Sequence, residues 1–170
     1  MINDLLKNSF RFIFLVLFQV LILNNIELNG YLNPFLYVLF ILMLPFQTPN
    51  WLVLTLSFIL GISIDLFSDT GGIHAFASVI MGYLRSPILK LLASRDGYDN
   101  NQLPTLKQFG FPWFFSYVGI LVFVHHLVLF FLETFNFSEF LQTFSRSMMS
   151  LFFTIVLIFI SQFFFTKHHA

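Results

Sequence analysis

Cysteine is absent from this sequence, which excludes disulfide bonds and thiol chemistry. Charged residues are scarce as well: they form 9% of the 170 residues, compared with about 25% in a typical soluble domain. The formal net charge is zero, and we expect neither a nucleic-acid partner nor a cofactor. The scarcity of charge argues against an ordinary soluble globular fold.

Apolar side chains dominate the rest of the composition. Hydrophobic residues make up 58% of the chain, and its mean hydropathy is +0.85. The 27 phenylalanines are too many for one soluble core of this size, since large apolar patches would remain exposed. We therefore expect an all-α integral membrane protein that forms a single membrane domain over residues 1–170.

The apolar runs and the residues between them predict six transmembrane helices. The second helix begins where Asn33 and Pro34 combine an N-cap residue with proline in the first turn, and it ends at Pro45. The second and third helices are shorter than the roughly 20 residues that usually cross a bilayer. The predicted ranges are 10–24, 34–45, 51–67, 73–92, 109–133 and 147–165.

The distribution of basic residues predicts the topology. With six helices and a cytoplasmic N-terminus, only Arg146 among the eight basic residues lies outside. If residues 34–67 formed one kinked helix instead, about three would lie inside and five outside, against the positive-inside rule. We therefore predict six spans with both termini in the cytoplasm. The basic residues on the cytoplasmic side are then Lys7, Arg11, Arg85, Lys90, Arg95, Lys107 and Lys167.

One polar stretch interrupts the apolar sequence where the third and fourth helices meet. It contains Asp65, Gly72 and His74, and Asp65 shares a helix face with Ser57 and Gly61. A carboxylate inside a membrane segment is costly and normally faces other helices or a wet cavity. We expect these five residues to form a polar anchor between helices.

The fourth helix carries small residues at a spacing of four. Ser78, Gly82 and Ser86 lie on one face, a pattern that allows two membrane helices to approach closely. On the cytoplasmic side, we expect Arg85, Lys90 and Arg95 to contact headgroups or a partner protein. The fourth helix is therefore predicted to pack closely against another helix and to contact headgroups or a partner protein at its cytoplasmic end.

Histidines on two helices raise the question of a metal site among the polar residues. Asp65, His74 and either His125 or His126 are expected at a similar depth, and a carboxylate with imidazoles is a ligand set of zinc. Adjacent histidines, however, point about 100° apart on a helix. We therefore expect interhelical hydrogen bonds rather than a metal site. No nucleophile with its base, phosphate loop or metalloprotease motif is present in the sequence, so we expect no enzyme activity.

The residues of the third and fourth helices resemble a known family. Gly61-x-x-x-Asp65, Gly72-x-His74-Ala75 and Tyr83-x-Arg85, within six short spans, are similar to the MreD family of bacterial rod shape-determining proteins. The similarity covers the whole chain in length and helix layout, but its specific residues are confined to 61–85.

The resemblance implies a function and a set of partners. It implies a multi-pass protein of the bacterial cytoplasmic (inner) membrane that helps maintain cell shape as a non-catalytic scaffold of the elongation complex, or elongasome. The implied partners are the bitopic MreC-like protein, the actin-like MreB filament, and the glycosyltransferase and transpeptidase of peptidoglycan synthesis, together with membrane lipid.

A second function follows from a related fold. The helix arrangement of the MreD family is similar to that of the substrate-binding components of energy-coupling-factor vitamin transporters. Those components favour alanine-rich stretches in the first helix, whereas residues 10–23 here contain no alanine. The alternative function is therefore a binding component for a small molecule, and this departure counts against it.

The predicted topology can be tested with reporter fusions. A reporter fused after Ala170 should be active in the cytoplasm, and one inserted at Asn136 should be active outside, because seven of eight basic residues then lie inside. Inverted activity at both positions would contradict the six-helix topology.

Overall fold

The chain folds into a bundle of helices. The computed structural model describes residues 2–26, 33–94, 97–99, 102–135 and 137–165. The described residues contain helices and no strand. Five of the helices are long and apolar enough to cross a membrane, so the chain is an all-α, multi-pass membrane protein, as the sequence predicts.

The long helices mostly match the predicted ranges and extend several of them. The kink in α5 lies at Gly110, which adopts a left-handed φ of 76° just before Pro112. Helix α6 begins seven residues earlier than predicted. The helices are α1 (Ile2–Leu21), α2 (Leu39–Leu42), α3 (Asn50–Ser68), α4 (Ile73–Leu92), α5 (Leu106–Thr134) and α6 (Phe140–Phe165), with 3-10 turns at Leu23–Asn25, Leu36–Val38 and Phe137–Glu139.

The second predicted helix, 34–45, is much shorter than expected. Only the 3-10 turn Leu36–Val38 and the four residues of α2 are helical, and neither is long enough to cross a bilayer. Pro45 disfavours helical geometry in Leu44 before it. After Pro34, which was expected to begin the helix, Phe35 has a non-helical ψ of 81°, and the amides of Phe35 and Leu36 bond to side chains of α6 and α1. Residues 33–45, which we call the inner segment, nevertheless run through the core, where residues 35–44 are almost fully buried.

The inner segment returns the chain to the end of the bundle where α1 begins. The Asn24 side chain after α1 donates a hydrogen bond to Ser68 Oγ at the end of α3, at 3.0 Å. Helices α1 and α3 therefore end on the same side, and the inner segment must connect that side to the start of α3. Gln162 near the end of α6 lines a cavity with Lys7 and Arg11 of α1. Both described chain ends thus lie at one end of the bundle.

Helices α3 and α4 form the tightest pair. A methyl group on Gly61 would overlap the backbone of α4, lying 2.6 Å from both Ala75 N and His74 O. A methyl group on Gly82 would lie 2.5 Å from Ser57 Oγ on α3. Gly82 of the predicted small-residue face therefore packs against α3 inside this chain, whereas Ser86 of that face is half-buried.

Aromatic residues close the end of the bundle where α4 ends and α5 begins. The ring of Tyr98 stacks on Phe46 with centroids 4.2 Å apart, and its hydroxyl donates to Leu89 O at 2.9 Å. Trp113 Nε1 donates to Leu92 O and to the Tyr98 hydroxyl. Burial raises the pKa of Tyr98, while the Trp113 hydrogen bond acts in the opposite direction. The cluster holds the 97–99 loop against the helix ends.

Three glycine-to-alanine substitutions test the packing of α3 on α4. Gly61→Ala should destabilise the protein by about 1–3 kcal/mol because the methyl meets backbone that cannot rotate away. Gly82→Ala should cost less, since the Ser57 hydroxyl can turn aside. Gly119→Ala is the control: no atom lies within 4 Å of its methyl, and alanine favours a helix by up to about 1 kcal/mol.

The measurement is the melting temperature of each purified variant in one detergent. The expected order is Gly61→Ala lowest, Gly82→Ala next and Gly119→Ala at or above the parent protein. Equal melting temperatures for the three variants would contradict the close approach of α3 and α4.

Candidate functional site

Asp65 lies at the end of α3 and binds the first turn of α4. Its Oδ1 accepts the amide of His74 at 3.0 Å, and its Oδ2 accepts the amide of Ala75 at 2.8 Å. Its Oδ1 also lies 2.5 Å from the donating hydroxyl of Thr70 and 3.1 Å from His74 Nδ1. Asp65 is 5% exposed, and it is the capping side chain for a neighbouring helix.

The local sequence explains why a distant carboxylate is needed. Helix α4 begins after Gly72, which adopts a left-handed φ of 99° and has no side chain that could cap the helix. The amide of Ile73 bonds to Thr70 O at 3.4 Å, but the next two amides have no backbone acceptor. Asp65 supplies both acceptors, and its negative charge also suits the positive end of the helix dipole.

The inner segment presents backbone groups that are not paired within a helix. At its start, Gln19 Oε1 accepts the amides of Leu36 and Tyr37 at 2.8 and 3.4 Å, and Gln19 Nε2 donates to Pro34 O at 3.0 Å. Hydroxyls of α6 accept two further amides: the amide of Asn33 donates to Ser150 Oγ and the amide of Phe35 donates to Thr154 Oγ1. Side chains of α1 and α6 thus replace the missing helical bonds.

Arg85 stabilises the other end of the inner segment. Its Nη2 donates to Leu44 O in a short hydrogen bond and to Pro45 O at 3.4 Å, and its Nε donates to the Tyr117 hydroxyl at 3.0 Å. The Tyr117 hydroxyl donates in turn to Leu42 O at 3.0 Å. The expectation that Arg85 contacts headgroups or a partner is therefore wrong: it is 3% exposed and bonded to the chain's own backbone.

The two adjacent histidines of α5 bind different partners. Tyr37 Oη lies 2.8 Å from His125 Nε2, whereas His126 Nε2 lies 3.0 Å from Thr154 Oγ1. His126 Nδ1 lies 2.9 Å from Val122 O, which can only accept, so this nitrogen carries the proton. Neither histidine is hydrogen-bonded to Asp65 or His74, which differs from the predicted polar cluster.

The aromatic ring of Phe35 lies beside all three buried histidines. Its centroid lies 5.5 Å from that of His74, 6.3 Å from His125 and 5.4 Å from His126. The three imidazoles therefore surround an apolar ring instead of a common ion. Within the described residues, no group of three or more potential metal ligands is close enough to hold a metal.

The other predicted site residues fall into two groups. Ser57, Gly61, Ser78 and Gly82 are buried in the bundle, on α3 and α4. Lys90 is exposed in the last turn of α4, where a cytoplasmic contact was expected. Arg95, the third residue of that predicted contact, lies outside the described residues.

A cavity of about 360 Å³ lies beside the Asp65–His74 pair, and we call it the end cavity. His74 lines it, and the Nδ1 of its ring is already engaged by Asp65 and Thr70. Glu133 also lines the cavity and forms an ion pair with Arg146 at 3.3 Å. Further polar side chains around the cavity are Asn24, Asn25, Asn33, Ser68 and Thr70.

Sequence reasoning missed the residues that hold the inner segment. Gln19, Tyr117 and Thr154 each lie in an apolar run, and a polar side chain in a membrane helix is a signal that it has a partner there. The partner itself is a backbone group far along the chain, and no spacing in the sequence reveals it. Comparison with protein-family models, with curated proteins and with solved structures finds no match to this chain.

Substitutions of Asp65 test its role as a helix anchor. Asp65→Leu should lower stability strongly, because each buried donor left without an acceptor costs about 1–3 kcal/mol. Asp65→Asn should retain most of the stability, since one amide oxygen can still accept hydrogen bonds. The measurements are membrane accumulation and melting temperature in detergent.

Asp69→Asn is the matched control, because it removes an exposed carboxylate four residues further on at a position that asparagine tolerates. A different result would be that both Asp65→Asn and Asp65→Leu accumulate and fold normally, yet neither replaces the parent protein in cells. The negative charge would then have a role in binding a cation or a cationic ligand. That result would contradict the anchor.

Proposed function

We propose that this protein is a non-catalytic scaffold of the bacterial cell-elongation complex, in the cytoplasmic (inner) membrane. The observation that carries the proposal is that three of the most polar buried side chains, those of Asp65, Gln19 and Arg85, are bonded to the chain's own backbone. Asp65, Gln19 and Arg85 would be the obvious candidates for binding or chemistry, and each is engaged in holding helices or the inner segment. Such an interior supports a rigid framework for partners.

The outer surface supports the same proposal. Large apolar side chains on α1 and α6 are exposed, among them Phe10 at 70% and Phe152 at 61%. Phe10 stacks on Phe14, which stacks on Phe18, so α1 presents an aromatic ridge. Lipid can cover such faces, and so can the membrane helices of partners, whose packing depends on shape. The proposed partners are the MreC-like protein, the MreB filament, and the glycosyltransferase and transpeptidase of peptidoglycan synthesis.

Copurification tests the proposal. The full chain carries an affinity tag, is extracted from native membranes in mild detergent, and its partners are identified by mass spectrometry. Recovery of cell-wall synthases and an MreC-like protein is the expected result. Loss of rod shape after depletion of the protein should accompany it. Purification without any of these proteins, together with unchanged cell shape, would contradict the scaffold.

Paired alanine variants identify the helix that binds the partners. Each pair removes two exposed side chains, so the fold should persist: Phe10 and Leu17 on α1, Phe152 and Ile160 on α6, and Phe58 and Leu66 on α3 as a comparison. Partner recovery should fall for one helix and persist for the others. Equal recovery from all three variants would argue against recognition through these helix faces.

The end cavity favours a second candidate function, a binding component for a small molecule. Its polar rim and apolar wall, which includes Phe35 and Leu129, are the usual features of a ligand site. Recovery of ATPase subunits in the same copurification would support this function. Filling the cavity distinguishes the two candidates: Ser68→Phe should abolish ligand binding in a transporter component and leave partner recovery unchanged in a scaffold.

A further inference from the structure

A groove between α1 and α6 combines two cations with an apolar wall. Its volume is about 450 Å³. Lys7 and Arg11, one helical turn apart on α1, line it together with Gln162 of α6. No carboxylate is among the described residues that line it. The remaining lining residues are apolar: Phe10, Phe14, Leu15, Leu39 and Met43. We call this feature the cationic groove.

The two cations retain most of their hydrogen-bonding capacity. Lys7 is exposed and has no hydrogen bond or ion pair within the part of the chain that the structure describes. Arg11 is half-buried, and a single hydrogen bond from Nη1 to Met43 O, at 3.3 Å, fixes its position. A guanidinium has five N–H donors, so most of those on Arg11 are available. Like charges one turn apart repel each other, and an anion between them would remove that repulsion.

The apolar wall identifies the kind of anion. The wall follows α1 from Lys7 to Leu15, about 12 Å along the helix axis. A small soluble anion would occupy the charged mouth and leave this wall uncovered. A phospholipid would use both parts, because its phosphate carries negative charge and its acyl chain is apolar. The groove also lies near the end of two membrane-spanning helices, where headgroups are found.

We propose that the cationic groove binds one anionic phospholipid, with the phosphate between Lys7 and Arg11 and an acyl chain along the apolar wall. A net anionic lipid is favoured over a zwitterionic one because both charged side chains at the mouth are cations. The lipid would fill the space between the first and last helices and thus link the two ends of the chain. This proposal is independent of the scaffold function.

The test compares three added probes on the purified full chain in a neutral detergent. Phosphatidylglycerol should raise the melting temperature and remain bound in native mass spectrometry. Phosphatidylcholine should do so more weakly, and inorganic phosphate should have no effect. Lys7→Gln should weaken the apparent affinity for phosphatidylglycerol about five-fold, the contribution of one cation near an anionic surface. Adding Arg11→Gln should weaken it about five-fold again.

Two variants serve as controls. Lys107→Gln removes an exposed lysine at the start of α5 that does not line the groove, and it should leave the affinity unchanged. Arg11→Lys keeps the charge and should retain most of the binding, whatever the loss of the Met43 hydrogen bond does to stability. An equal response to phosphatidylglycerol and phosphatidylcholine would overturn the proposal. So would an equal response to inorganic phosphate, or a loss in Lys107→Gln equal to that in Lys7→Gln.

Discussion

Backbone groups in the interior of a membrane protein must be hydrogen-bonded within the protein, and the inner segment imposes this constraint on the whole bundle. Its residues lie at the depth of the surrounding helices but form only one 3-10 turn and one turn of α-helix. Lipid offers no donors or acceptors, and an unpaired amide or carbonyl there costs several kcal/mol. Irregular backbone can exist at this depth only because protein side chains surround it.

The partners of the inner segment come from four different helices. Gln19 of α1 and Thr154 of α6 bind its beginning, while Arg85 of α4 and Tyr117 of α5 bind its end. Each helix must therefore have a particular depth in the bundle and a particular rotation about its own axis, because only then does its side chain reach the inner segment. Tyr117 and Arg85 also bond to each other, so their positions are coupled. The polar network fixes the arrangement of helices whose apolar surfaces alone would permit several packings.

Apolar periodicity was sufficient to predict the class of the protein and its long helices. The small residues of α3 and α4 were also informative, because glycine allows two helix backbones to approach closely. Gly61 lies against Ala75, and Gly82 lies against Ser57. The short second helix was not predictable from its own composition: an apolar run that is buried on all sides looks the same whether it is helical or irregular. Its state depends on Gln19 and Arg85, whose bonds to it span 17 and 41 residues.

The need to hydrogen-bond the backbone of the inner segment also explains why the prediction for Arg85 was wrong. An arginine near the end of a membrane helix usually extends to the headgroups, and sequence position alone favours that conformation. The carbonyls of Leu44 and Pro45 favour a buried conformation of Arg85 instead, since a guanidinium can bind several acceptors at once in a fixed geometry. A buried cation is acceptable here because backbone oxygens replace its hydration. The interior thus uses its strongest donor for the fold, and the proposed contacts with lipids and proteins rest on residues that the inner segment leaves available, such as the Lys7 side chain and the exposed faces of α1 and α6.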